Sequence, residues 1–312
     1  MKQTTNSVLM IRPVNFRMNE QTSVNNHYQK VLNNILPETV NAKAQKEFDN
    51  FVTKLKGIGV NVIVVNETQD IDTPDAVFPN NWVSFHENGM VAIYPMFAEN
   101  RRLERREDIL LILEEQGFKI TDIMDYTSAE DEGVFLEGTG SVVLDRVNRK
   151  AYCALSPRSD EDLFVEFCED FEYTPIIFNA YQTVKDKRLP IYHTNVMMCI
   201  GDAFAVICLD AIDDKSEKKN VVSHLKNDGK EIVAITENQL NHFAGNMLQV
   251  KGENNNRYLV MSEAAYNSLT SAQIETLKKY NQTILKSNLD TIEACGGGSA
   301  RCMMAEIFLP KG

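Results

Sequence analysis

The chain has 312 residues, of which 43% are hydrophobic and 24% charged, a composition typical of globular proteins with a large core. Its formal net charge of −12 and its pI of about 5.0 argue against binding to nucleic acid or to an anionic membrane, which require a basic face. A charged small molecule remains a compatible ligand, because a pocket can carry a local field that opposes the net charge.

Targeting signals and metal-binding patterns are not recognisable in the sequence. The N-terminal segment contains Arg12 and no small-residue cleavage site, and no apolar run approaches the roughly 18 residues of a membrane span. The six cysteines are expected to be reduced thiols, because a long chain without an export signal favours them. No C-x-x-C spacing or histidine pair suggests a structural metal. We therefore expect a cytoplasmic protein without zinc.

The first predicted elements in chain order are a strand, VLMIRPV, a helix over residues 42–57 and a second strand, NVIVV. A hairpin follows, with its turn at Asn88-Gly89, a strong hairpin signal. A helical pattern over residues 101–117 comes next and ends at Gly117, which is placed to act as the C-cap.

Similar units of hairpin, helix and strand then recur. Hairpins begin near Trp82, Val134, His193, Met247 and Arg301, at intervals of about 52 to 59 residues. The predicted turns of the next three hairpins lie at 146–149, 201–202 and 253–256, and their helices at about 160–171, 217–226 and 271–279.

The fifth hairpin, RCMMAEIFLP, lacks a partner strand of its own. The N-terminal VLMIRPV could supply it, and five ββαβ units would then close into a ring without exposed sheet edges. Spacing alone leaves an open α/β sheet as an equal alternative. In either case we expect one domain over residues 1–312.

Four segments carry polar residues where strands of a closed ring would approach a common axis. They span residues 74–82, 136–140, 192–195 and 295–302. Each has an ordinary structural interpretation: a loop before a hairpin, a buried glutamate that needs a partner, an edge histidine, and a small buried cysteine beside methionines. The glycine-rich last segment is not a phosphate loop, since no Gly-Lys-Ser/Thr follows, and Arg301 could favour a Cys302 thiolate.

Taken together and in order, the four segments resemble the guanidine-modifying (pentein) superfamily over essentially the whole chain. The resemblance implies a five-bladed α/β propeller with Cys302 as nucleophile, His193 as acid/base and Glu137 as the carboxylate that orients the histidine. The citrulline-utilisation hydrolases, often described only as amidinotransferase-like, are the group within the superfamily that the sequence most resembles.

Substrate-binding positions follow from the same resemblance. Arg158 matches an arginine that binds the substrate's α-carboxylate, assisted by Arg101 or Arg102, whereas the acidic residue that holds the α-amine cannot be assigned. Asp75 and Phe78 lie in the first segment, and Arg301 would help to hold the thiolate or the developing charge.

Asn81 and Asn195 depart from the superfamily pattern, because other members carry aspartates at these two positions. An asparagine cannot replace the charge of a carboxylate that clamps a guanidinium, but its amide both donates and accepts. It therefore suits a neutral ureido group, although Asp75 and Glu137 could still supply negative charge.

The predicted function is a cysteine hydrolase that converts citrulline to ornithine, ammonia and carbon dioxide through a covalent thio-adduct, without a metal or organic cofactor. Its alternatives are arginine deiminase, dimethylarginine dimethylaminohydrolase or amidinotransferase activity, and a non-catalytic binding protein. The expected partner is a small amino-acid substrate, without nucleic acid or membrane. A homo-oligomer is compatible with the sequence, since dimers are common among such enzymes.

Overall fold

A computed structural model describes residues 2–30 and 36–312. Its strands are β1 Ser7–Arg12, β2 Asn61–Asn66, β3 Val83–Phe85, β4 Met90–Ile93, β5 Asp122–Asp125, β6 Val142–Asp145, β7 Lys150–Leu155, β8 Thr174–Asn179, β9 Tyr181–Val184, β10 Lys187–Pro190, β11 Met198–Ile200, β12 Phe204–Ile207, β13 Glu231–Ala234, β14 Leu248–Lys251, β15 Arg257–Ser262, β16 Thr283–Ser287 and β17 Ala305–Glu306. Its helices are α1 Pro37–Gly57, α2 Glu99–Arg102, α3 Glu107–Glu115, α4 Gly138–Ser141, α5 Glu161–Asp170, α6 Thr194–Met197, α7 Lys215–Asn227, α8 Glu237–Leu240, α9 Glu263–Ser268, α10 Ser271–Lys278 and α11 Asp290–Gly296.

Five three-stranded sheets form a ring of α/β units. In every sheet the first two strands pair antiparallel and the third pairs parallel to the second; the orders are β17-β1-β2, β3-β4-β5, β6-β7-β8, β11-β12-β13 and β14-β15-β16. β17 joins β1 through the pairs Val8–Glu306 and Leu9–Ala305. The N-terminal strand therefore completes the fifth unit. The closed five-bladed propeller is confirmed and the open sheet is excluded.

Two predicted helices have different bounds in the structure. α1 begins at Pro37, five residues earlier than expected, because proline is well suited to the first turn of a helix. The helix predicted over residues 101–117 is broken into α2 and α3. In the non-helical segment between them, Arg105 forms an ion pair with Glu130 and Arg106 forms one with Asp108.

Short helical turns, rather than strands, carry most of the candidate site residues. Asn81 ends a 3₁₀ turn before β3, Glu137 precedes α4, and His193 is the residue before α6. From the sequence, Glu137 was expected inside a strand and His193 at the start of one. In the structure each residue is instead followed by a short helical turn, and the strand begins only after that turn. Each turn lies where the first strand of a sheet begins, so these side chains project from the same end of the ring.

A separate two-stranded hairpin, β9 with β10, follows β8; it was not predicted from the sequence and turns through Lys185 and Asp186, both with positive φ. The six cysteines are all buried and none forms a disulfide. Within residues 2–30 and 36–312, no helix has the length and apolarity needed to cross a membrane.

Candidate active site

Cys302 lies in the turn between α11 and β17, and its side chain is 2% exposed. Gly297, with φ of +64°, ends α11 in a left-handed conformation that favours glycine. The Phe78 ring packs directly on this turn: a Cβ added to Gly296 or Gly298 would lie 2.7 or 3.0 Å from it. The glycines therefore let Phe78 and the Cys302 segment approach each other, and no phosphate-binding role is needed to explain them.

His193 and Glu137 form a buried pair, with 2.7 Å between His193 Nε2 and Glu137 Oε2. The other carboxylate oxygen of Glu137 accepts the backbone N–H of Phe97 at 3.0 Å. Burial opposes the charge of Glu137, but Arg158, His193 and Arg101 outweigh that effect and hold its pKa well below the usual range. Burial lowers the pKa of His193 to about 4 against the opposing effect of Glu137, so the imidazole is neutral at pH 7.

Gly140 has no Cβ, and this allows the His193 ring and the Asn81 amide to pack against its backbone. A Cβ at residue 140 would lie 2.4 Å from Asn81 Nδ2 and 2.8 Å from His193 Nδ1. Neither side chain can retreat freely, because both are buried and hydrogen-bonded at their other polar atoms.

We expect Gly140→Ala to lower kcat by about 10²-fold, because small displacements of acid/base groups have effects of that size. The measurement is steady-state kinetics with a thermal melt of the same sample. Gly57→Ala is the matched control, since a Cβ there meets no atom within 4 Å. Full activity in a folded Gly140→Ala protein would contradict the assigned positions of His193 and Asn81.

Two asparagine amides contact the Cys302 sulfur. Asn195 Nδ2 lies 3.6 Å from Sγ and also donates to Thr139 O at 3.1 Å. Asn246 Nδ2 lies 3.2 Å from Sγ. Burial raises the pKa of the Cys302 thiol, whereas the hydrogen bonds from Asn246 and Asn195 and the charge of Arg301 act in the opposite direction.

Arg158 is almost completely buried above the Glu137–His193 pair. Its Nε donates to Asn25 Oδ1 at 2.9 Å, its second terminal nitrogen donates to Thr22 O at 2.9 Å, and the remaining one lies 3.4 Å from Glu137 Oε2. The guanidinium also lies 5.0 Å from the centre of the Tyr192 ring. A fixed cation is thus held within reach of the reacting groups.

Arg101 is the second buried guanidinium. It binds both oxygens of Glu104 at 2.9 Å and donates to Asn81 Oδ1 at 2.8 Å and to Phe78 O at 3.2 Å. Burial opposes its charge, but the surrounding carboxylates, Glu104 first, raise the pKa of Arg101. Arg102 instead donates to Met96 O at 3.1 Å, so Arg101 alone of this pair reaches the site.

Asp75 is buried against the loop between β1 and α1. Its Oδ2 accepts from Asn19 Nδ2 at 2.8 Å and from Thr22 Oγ1 at 3.0 Å, and Arg101 Nε is 4.0 Å away. Its Oδ1 is buried and has no hydrogen-bond partner within the described part of the chain. Since buried carboxylate oxygens are normally paired, this atom indicates a place for a ligand donor.

Arg301 does not point at Cys302. Its terminal nitrogens donate to Met304 O at 2.9 Å and to Glu306 Oε2 at 2.9 Å. Its charge acts to lower the pKa of the thiol, the effect that the sequence suggested, whereas its terminal nitrogens are bound to these two partners.

Several residues of the site were not found from the sequence. Asn246 and Glu104 lie outside the four segments, and Asn19, Thr22 and Asn25 come from a loop between β1 and α1. None stands in a motif, and all are common surface or turn residue types. The local signal was too weak, because their importance depends on contacts between distant segments.

A sequence model of the family described as "N,N dimethylarginine dimethylhydrolase, eukaryotic" matches residues 12–309. The chain belongs to this family. It is therefore a hydrolase of C–N bonds within the guanidine-modifying pentein superfamily, as the resemblance implied at the coarser level. No match was found among curated proteins.

Solved structures share the fold of this dimethylarginine dimethylhydrolase family member. The N-terminal domain of ArgZ, an arginine dihydrolase from the ornithine-ammonia cycle in cyanobacteria, is 15% identical, with a TM-score of 0.70 over 96% of this chain and 97% of that one. Full-length ArgZ has a TM-score of 0.74 and 16% identity over 98% of this chain, which spans only 41% of its length.

A dimethylarginine dimethylaminohydrolase adduct with S-methyl-L-thiocitrulline is also similar. It is 13% identical, with a TM-score of 0.65 over 96% of this chain and 99% of that one. At these identities the likeness establishes the fold alone. The matches do not single out the citrulline-utilisation hydrolases, so the finer part of the sequence resemblance stays a hypothesis.

Proposed function

We propose that the protein hydrolyses the guanidino group of a free arginine-type amino acid, such as arginine or an ω-methylated arginine, with Cys302 as nucleophile. The observation that carries the proposal is the buried Glu137–His193 pair, which meets the Cys302 segment through Asn195 and is flanked by two buried guanidiniums. The family match supports a guanidino substrate more directly than a ureido one.

Charge balance at the site favours a cationic substrate. Among the described residues, the carboxylates of Asp75, Glu104 and Glu137 face the guanidiniums of Arg101 and Arg158, so the group carries one negative charge when all three are ionised. Burial raises the pKa of Asp75 and raises that of Glu104 to about 8, whereas the two contacts with Arg101 at 2.9 Å favour the Glu104 carboxylate. His193 is neutral at pH 7. A zwitterionic amino acid with a guanidinium side chain would bring this buried group to neutrality, and unbalanced buried charge is costly.

The α-groups of the substrate have complementary partners on the protein. Arg158 can offer guanidinium N–H groups to the α-carboxylate, since arginine binds carboxylates well. The unpartnered Asp75 Oδ1 would accept from the α-ammonium, which supplies the acidic residue that the sequence could not assign. Both groups are buried, and this favours a free amino acid over an arginine within a polypeptide.

In the proposed mechanism, the neutral His193 takes the proton of the Cys302 thiol, and the resulting thiolate attacks the guanidino carbon and forms a C–S bond. His193, held by Glu137, gives a proton to the leaving nitrogen, and the C–N bond breaks with release of ammonia or a methylated amine. His193 then takes a proton from a water molecule, which attacks the adduct carbon. The C–S bond breaks, His193 returns this proton to the sulfur, and a ureido amino acid is released.

Hydrolysis of the ureido group itself is the second candidate, and the orientation of Asn81 favours it. Arg101 can only donate, so its contact fixes Asn81 Oδ1 toward Arg101 and leaves the Asn81 NH₂ facing Gly140 and His193. That NH₂ can donate to a ureido carbonyl but repels a guanidinium N–H. A citrulline substrate would then yield ornithine, ammonia and carbon dioxide.

The deciding experiment incubates the protein separately with arginine, asymmetric dimethylarginine, citrulline and agmatine, and quantifies released amine and the amino-acid product. Citrulline from arginine or dimethylarginine would support the primary proposal, and ornithine from citrulline would support the second. Inactivity with agmatine, which lacks an α-carboxylate, is expected from the role given to Arg158. Inactivity with all four would overturn both proposals and favour an amine-dependent transferase or a binding protein.

Substitution of Asn81 by aspartate should separate the two candidates. Asn81→Asp replaces the inward NH₂ with an acceptor, so we expect any ureido hydrolysis to fall by about 10²-fold, the size of a lost transition-state donor. Guanidino hydrolysis should be retained or improved, because the carboxylate complements the cation. Product ratios measured from arginine and from citrulline check this expectation, and equal losses on both substrates would contradict it.

A further inference from the structure

The Cys302 sulfur lies in apolar surroundings that do not favour a thiolate. The residue packs in the same buried cluster as Met303 and Met304. The nearest cation in sequence, Arg301, is bound to Glu306 and Met304 O instead of to Sγ. A nucleophilic thiolate therefore needs a hydrogen-bond donor from elsewhere in the fold.

Asn246, which precedes β14, has the required position. It is fully buried, and its Nδ2 lies 3.2 Å from Cys302 Sγ, closer than any other side-chain nitrogen that contacts this sulfur. The remaining contacts of Nδ2 are Asn195 O at 3.0 Å and Asn195 Oδ1 at 3.3 Å. One N–H can therefore serve Asn195 while the other points at the sulfur.

The orientation of the Asn246 amide is fixed by its other end. Its Oδ1 accepts the backbone N–H of Arg301 at 3.0 Å. A backbone N–H can only donate, so this position must be occupied by the oxygen and the sulfur must face the NH₂. The same contact connects the amide to the residue directly before the nucleophile, so Asn246 both holds the turn and faces its reactive atom.

We propose that Asn246 is a catalytic residue whose side-chain N–H donates to the Cys302 thiolate and keeps the sulfur oriented toward the substrate carbon. This inference rests on the proposed function in taking Cys302 as the nucleophile. Asn195 supplies a weaker second donor at 3.6 Å. Two neutral amides thus perform what the sequence assigned to the Arg301 cation.

The charged and titratable groups around this sulfur are few. Arg301 lies in the same turn, and Glu293 on α11 accepts from Ser299 Oγ at 2.5 Å below it. Tyr192 donates to Gly297 O at 2.5 Å, and His193 is paired with Glu137. All of them have hydrogen-bond partners of their own. A shift in the titration of Cys302 after a change at residue 246 should therefore report on the thiol and not on one of these neighbours.

The test measures alkylation of Cys302 by iodoacetamide as a function of pH in wild type and in Asn246→Asp. Trypsin cleaves after Arg301 and releases residues 302–311, which contain a single cysteine, so mass spectrometry reports this thiol apart from the other five. The aspartate keeps an acceptor for the Arg301 N–H and replaces the donor facing Sγ. We expect the midpoint of the alkylation rate against pH to rise by about one pH unit or more. At a fixed pH below the midpoint, alkylation should then be about tenfold slower.

Asn281→Asp is the matched control, since Asn281 is a buried asparagine that binds Gln249 and Leu277 O away from the site. Its midpoint should equal that of wild type. Should Asn246→Asp fail to fold, as judged by circular dichroism, Asn246→Ala is measured in its place. A folded variant at residue 246 with an unshifted midpoint would overturn the inference.

The alkylation readout needs no substrate, so it separates this inference from the proposed function. A shifted midpoint in a protein that is inactive on all four amino acids would retain the thiolate role of Asn246 and reject the proposed reaction. An unshifted midpoint in an active enzyme would retain the reaction and reject the role of Asn246.

Discussion

Replacement of Cys302 by alanine should abolish turnover while leaving amino-acid binding intact. The side chain is small and buried, and the groups proposed to bind the substrate's α-carboxylate and α-amine, Arg158 and Asp75, do not depend on it. Removal of an attacking nucleophile commonly costs on the order of 10⁴- to 10⁶-fold in kcat. The measurement is steady-state amine release combined with isothermal titration of the variant with arginine.

Cys295→Ala is the control for this change, because Cys295 is equally buried and lies seven residues earlier, on α11. It should retain wild-type turnover. If Cys302→Ala kept more than about a hundredth of wild-type kcat, the sulfur could not be the attacking atom.

Glu137→Gln should reduce both activity and stability. The amide cannot hold an imidazolium, so the proton transfers through His193 would slow and kcat should fall by about 10²- to 10⁴-fold. The change also leaves Arg158 and Arg101 partly unpaired in the interior, and breaking a buried ion pair typically costs about 3 to 5 kcal/mol. Kinetics and guanidinium chloride unfolding of the same preparation measure the two effects.

The stability difference between wild type and Glu137→Gln should depend on pH. The pKa of Glu137 is lowered in the folded state, so its stabilisation is fully present above the unfolded pKa of about 4.3 and is lost as the pH falls below it. The free energy of unfolding of Glu137→Gln should therefore lie far below that of wild type at pH 7, and the difference should be smaller at pH 3.5. Glu114→Gln, at an exposed position of α3, should show none at either pH. A difference that grew toward acid would contradict the ionised state of Glu137.

The repeating unit of the fold was predictable because its turns and helix ends depend on local sequence patterns. The Asn88-Gly89 and 146–149 turns occur as expected, and Asp160 caps α5 by accepting from Leu163 N at 3.1 Å. Gly117 has the positive φ expected at a helix end but follows the C-cap, which is Gln116. Such signals depend on backbone preferences within a few residues, which a single sequence records. Closure of the ring was one of two interpretations of the unpaired fifth hairpin, and the pairing of β1 with β17 decides between them.

The site was only partly predictable. Glu137 and His193 do meet, and Asn195 does contact Cys302. However, Asn246, which contacts Asn195 and Cys302, and Glu104, which binds Arg101, were missed, because amide and carboxylate contacts between distant segments leave no periodic pattern. Arg301 acts on the thiol through its charge, as the sequence suggested, but its ion pair with Glu306 on the next strand was not predictable.

The pairing of β1 with β17 has a consequence for how the protein acquires its reactive centre during synthesis. Val8 and Glu306 are partners although about 300 residues separate them, and such distant contacts form late because a long loop must close first. The Cys302 turn lies directly before β17, and its neighbours Asn195 and Asn246 belong to other blades. A nascent chain therefore lacks the assembled catalytic site until β17 has been synthesised and has paired with β1.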